Sequence, residues 1–97
     1  MNHELRLDVI SCLYSITHLA KQIDLPDDDE FMKVTNYAYK SFTEEENITE
    51  KDILTAMGSI ASFQYLINKI NDGENEYLNL QFRFFESTYK SLESLVS

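Results

Sequence analysis

Apolar residues recur every three or four positions along most of the chain, a period that places them on one face of a helix. The first run holds Val9, Leu13, Ile16, Ala20 and Ile23, with Ile10 and Leu19 beside it. It predicts a helix over about residues 4–23, capped by the Asn2 side chain. Leu25-Pro26 ends this pattern, because proline disfavours helical geometry in the residue before it. The second run, Phe31, Val34, Ala38 and Phe42, predicts a helix over 28–42, with Tyr37 and Tyr39 flanking the stripe. The third opens on Thr49-Glu50-Lys51-Asp52, spaced like a capping box with Asp in place of the usual Glu or Gln. Its stripe is Ile53, Met57, Ile60, Phe63, Ile67 and Ile70, with Leu54, Ala61 and Leu66 alongside, and it predicts a helix over 50–70. Gly58 lies inside that helix beside Ser59, Ala61 and Ser62. A mid-helix glycine costs about 1 kcal/mol, which leads us to expect a neighbouring helix approaching closely there. After the turn signal Asn71-Asp72-Gly73-Glu74-Asn75, the last run is Leu78, Phe82, Phe85, Tyr89, Leu92 and Val96, predicting a helix over 76–96.

Composition narrows this to one fold class. Two glycines and one proline in 97 residues leave too few turn residues for a sheet protein. The expectation is all-α: a compact four-helix bundle, mostly antiparallel, with short loops. At this length a single domain spanning 1–97 can bury about 60–70% of its unfolded surface, enough for one core without staples.

Charge excludes several function classes. The chain has 17 acidic and 8 basic residues, a net charge of −9. Such a surface opposes direct binding of nucleic acid or an anionic membrane, where Lys and Arg must neutralise phosphates. The excess is concentrated: residues 26–52 hold nine acidic and three basic side chains. No apolar run of about 18 residues is present to span a bilayer, and the first residues lack a signal-peptide pattern. The single cysteine, Cys12, cannot form an intramolecular disulfide and is expected as a small core residue. These features predict a cytoplasmic protein.

Catalytic and metal chemistry find little footing. A calcium loop with Gly73 at its sixth position would need Ile70 and Asn79 as ligands, and neither supplies the required carboxylate. His3 and His18 lack a partner at zinc-ligand spacing. Cys12 and His18 are six positions apart on one helix and point to different faces. Ser11, Ser15, Ser59 and Ser62 fall within helices with no strained elbow to expose them. The expectation is a non-enzymatic protein with no cofactor and no metal.

Partner binding remains. Asp27, Asp28 and Asp29 precede the second helix, and Glu44, Glu45 and Glu46 follow it. Either they cap helix ends and meet helix dipoles, or they form acidic contacts for a partner. On the fourth helix, Tyr77, Leu80 and Phe84 form a row off the main stripe. They are either a second face buried inside a broad bundle or an apolar surface for a partner or a homodimer. The leading expectation is a small acidic protein that binds and modulates another protein, as inhibitors and immunity proteins do, against a basic partner surface. The alternative is a self-associating, homodimeric structural or regulatory module.

Overall fold

The computed structural model describes residues 1–26, 28–71 and 75–96, with residues 70 and 71 described by their backbone alone. Asp27, the Asp72-Gly73-Glu74 turn and the Ile70 side chain lie outside the described residues. Four helices follow one another: α1 (His3–Gln22), α2 (Glu30–Glu44), α3 (Glu50–Asn71) and α4 (Glu76–Val96). No strand occurs among the described residues.

The helix ends are set by side chains that the sequence places there. Asn2 caps α1 by accepting the Leu5 N–H at 2.7 Å. Asp29 caps α2 by accepting the Phe31 N–H at 2.9 Å. Asn75 caps α4 by accepting the Leu78 N–H at 3.1 Å. At α3 the capping box forms in both directions. Thr49 N–H donates to Asp52 Oδ2 at 3.0 Å, and Asp52 N–H donates to Thr49 Oγ1 at 3.2 Å. Each interaction satisfies a first-turn donor that the helix itself leaves unpaired.

Pro26 is not what stops α1. The helix ends earlier, at Ile23, in a Schellman-type closure. Leu25 N–H reaches back to the Ala20 carbonyl and Asp24 N–H to the Lys21 carbonyl. Asp24 takes the left-handed position at φ 60° that usually falls to glycine.

Three contacts fix the register of α2 against α3. Phe31 stacks on Phe63, with ring centroids 6.0 Å apart. Thr35 Oγ1 donates to Ser59 Oγ at 3.1 Å. Near the other end, Glu45 hydrogen-bonds Asp52. Rising numbers on α2 thus meet falling numbers on α3, so the pair is antiparallel. A small apolar cavity brings Leu19 and Ile23 from the end of α1 together with Phe63 and Ile67 and with Leu78 from the start of α4. Hence α1 and α3 run parallel and α4 opposes both. Among the described residues α2 and α4 do not meet; each packs on α1 and α3, which also touch each other. The bundle is therefore a sheared one, with α1 and α3 along its short diagonal.

The core joins Val9, Leu13 and Ile16 of α1, Met32 and Phe42 of α2, Ile60, Phe63 and Ile67 of α3, and Phe85 and Leu92 of α4. The stripes on α1, α3 and α4 are largely those read from the sequence. That on α2 is rotated. Val34, placed on the stripe by spacing, is exposed, while Met32, Thr35 and Ser41 are buried. Polar Thr35 and Ser41 hid the true face. Ile23 and Leu54 also face solvent, where apolar positions had been expected. Gly58 overturns its expectation outright: it is exposed, and a Cβ added there would find no atom within 4 Å. No side chain of a neighbouring helix packs against it.

Candidate functional site

The turn between α2 and α3 is held from below by α1. The Arg6 side chain reaches past the end of α2 and donates through Nε to the Phe42 carbonyl at 2.7 Å. Its two terminal nitrogens donate to the carbonyls of Glu45 and of Glu46, the latter at 3.4 Å. These carbonyls belong to the end of a helix and its exit, where acceptors otherwise lack partners, and a cation also meets the negative end of the dipole. The guanidinium thus satisfies backbone. The side chains of Glu44, Glu45 and Glu46 are exposed, and none joins an ion pair among the described residues.

Beneath this turn the two acids of the junction differ. Asp52 is only 3% exposed. Burial pushes its carboxyl up, but the Thr49 N–H, the Glu45 carboxyl and the hydroxyls of Thr49 and Ser41 outweigh burial and hold it below the usual carboxylate range. The Glu45 carboxyl is held above that range, chiefly by its hydrogen bond to Asp52. The other acidic group is split in role: Asp29 is consumed as a cap, whereas Asp28 is exposed. Helix α2 separates the two groups by its 15 residues, roughly 22 Å at 1.5 Å per residue.

On α4, Tyr77, Leu80 and Phe84 stand 54%, 64% and 36% exposed. They are not a second buried face of the bundle. Arranged at i, i+3 and i+7, they form a ridge beside the core-facing stripe, and Leu95 extends it at 48% exposure. No family model, curated protein or solved structure matches the chain. The surface has to be read from its own chemistry.

A second apolar surface was not singled out from the sequence. Between α2 and α3 runs a groove of about 450 Å³ walled by Val34, Tyr37 and Leu54 and floored at Gly58. Its signal was present in the failures of spacing: Val34 and Leu54 sit at the margins of their stripes and line the same groove from its two sides. Tyr37, which flanks the α2 stripe, is 49% exposed on the same wall. Tyr39 instead packs against the core and faces Tyr14, with ring centroids 6.5 Å apart.

Chemistry of other kinds is sparse. Cys12 is fully buried, and burial foremost pushes its thiol up to about 12, which suppresses the thiolate. His18 is exposed, its ring lying 3.5 Å from the Gln22 side-chain amide. Among the described residues no group of three His, Cys, Asp or Glu side chains is disposed to hold a metal ion, and no helix is long and apolar enough to cross a membrane.

Proposed function

We propose that this chain is a non-enzymatic binding protein that modulates another protein, of the inhibitor or immunity type, and that the α2–α3 turn meets a basic surface on that partner. The observation that carries this reading is the Arg6 clamp. It fixes the backbone of Glu45 and Glu46 while leaving the Glu44 and Glu46 carboxylates in solvent, that of Glu45 being bonded to Asp52. An acidic turn already held in place loses less conformational freedom on docking than a free loop, so more of its attraction survives as affinity. The chain's net charge of −9 adds long-range steering toward a cationic cleft. Asp28 and Asp29, at the far end of α2, belong to a separate acidic end.

The test is capture from native extract by the wild-type chain and by a Glu44→Lys/Glu46→Lys variant. A basic protein should be retained, should elute as salt rises, and should be lost with the variant. Retention of the same partner by the variant would remove the acidic turn from the reading.

The exposed ridge on α4 favours a second reading, a homodimer through Tyr77, Leu80 and Phe84. Such an interface would be nearly indifferent to salt. Light scattering after size exclusion distinguishes it: a dimer that persists at high salt and is abolished by Phe84→Asp, with helicity retained, supports the dimer. A monomer at every concentration removes it.

A further inference from the structure

We propose that the groove between α2 and α3 is a second docking site, and that it takes an acidic amphipathic helix from a partner protein. Two observations carry this. The first is charge. The groove lining includes Lys33 and Lys51 and no carboxylate, although acids outnumber bases 17 to 8 over the whole chain. Lys51 joins no ion pair among the described residues; Lys33 reaches Glu30 only at 3.8 Å, between two well-exposed side chains. Both ammonium groups are thus available to a ligand.

The second is Gly58. A glycine in a helix interior costs about 1 kcal/mol relative to alanine, and tight packing commonly explains it. Here nothing lies within 4 Å of where a Cβ would be. No contact in this chain requires the bare backbone. The space it leaves opens into the groove, where a ligand side chain can lie against the helix.

The register sets the size of the occupant. Thr35 faces Ser59, so Lys51 lies level with about residue 43 of α2. The two lysine stems are then roughly 15 Å apart along the groove at 1.5 Å per residue. A helix with anchors at i, i+3 or i+4, and i+7 spans about 10 Å between its outer anchors. Such a segment fits between the lysines with its apolar side chains on Val34, Tyr37 and Leu54 and its carboxylates at either end. The Lys51 end of this site adjoins the acidic turn, while its lining is separate from the α4 ridge, and its test depends on neither reading.

A random library of peptides about 12 residues long, roughly three helical turns, is panned against the wild-type chain and counter-panned against Gly58→Leu. The expected survivors carry bulky apolar residues at helical spacing flanked by Asp or Glu. Their binding should fall about tenfold with Lys51→Glu and with Gly58→Leu, and should be unchanged by Glu93→Ala at an exposed position of α4. Gly58→Ala separates binding from folding: it should raise the thermal midpoint while weakening the peptides. Survivors that are basic, survivors that bind Gly58→Leu and Lys51→Glu as well as wild type, or no survivors after counter-panning would each overturn the proposal.

Discussion

Arg6, in the first turn of α1, closes the last turn of α2 by donating from Nε to the Phe42 carbonyl at 2.7 Å. One side chain therefore ties the entry of the chain to a loop some forty residues away. Lysine at this position keeps the charge but replaces a planar fork of donors with a single ammonium. Arg6→Lys should cost about 1.5–3 kcal/mol, the range for hydrogen bonds to charged groups. It would be read as a lower urea midpoint at an unchanged slope. An unmoved midpoint would show that the α2 exit holds without the clamp.

The Asp52 carboxyl links that exit to acid stability. Its folded pKa lies below the unfolded value of about 3.9, so the unfolded chain takes up its proton first. The stability it contributes is complete above the unfolded pKa and is lost as pH falls through the folded one. Glu45 has the opposite sign: raised in the fold, its contribution is present below its unfolded pKa and is lost as pH rises through the folded one. Asp52→Asn should flatten the acid limb of a stability–pH curve, and Glu45→Gln should steepen it. Denaturation midpoints followed downward from about pH 7 test both signs.

Thr35 and Ser59 form a buried hydroxyl pair at 3.1 Å in the centre of the α2–α3 contact. Removing one partner strands the other away from water, at about 1–3 kcal/mol, whereas removing both leaves nothing unpaired. Thr35→Val should therefore destabilise more than Thr35→Val combined with Ser59→Ala. A double-mutant cycle measures the difference, and strict additivity would mean that the pair contributes no coupling.

Asp24 holds the left-handed position of the α1 closure at φ 60°. Glycine adopts that geometry without the Cβ penalty. Asp24→Gly should stabilise by up to about 1 kcal/mol, a rise of about 4–8 °C for that amount in a chain of this size. Asp24→Val should lower the thermal midpoint, since a β-branched residue is poorly accommodated there. The same midpoint for glycine and valine would place the closure outside the energetics of the helix.

Much of the fold was readable because helix caps and apolar spacing are local signals. Asn2, the Thr49–Asp52 box and the α4 stripe each act within a few residues of themselves. The α2 face was missed because its inward positions include Thr35 and Ser41, whose hydroxyls find partners across the α2–α3 contact. The Arg6 clamp was illegible for a related reason: its acceptors are backbone carbonyls, which carry no side-chain signature. Gly58 was read correctly as a cost and wrongly as a contact, because sequence shows that a side chain is absent but not what occupies the space. The α4 ridge was left between two readings by periodicity, and its exposure removes the buried one.

The separation of α2 from α4 has an energetic corollary. The groove lies where α2 meets α3 and the ridge lies along α4, with the packed interior of α1 and α3 between them. Ligands held at the two surfaces would have no common side chain to compete for and no joint between them to repack. Any linkage would have to pass through the most tightly packed part of the molecule. Their binding free energies should therefore sum, making the chain a two-sided bridge rather than a switch.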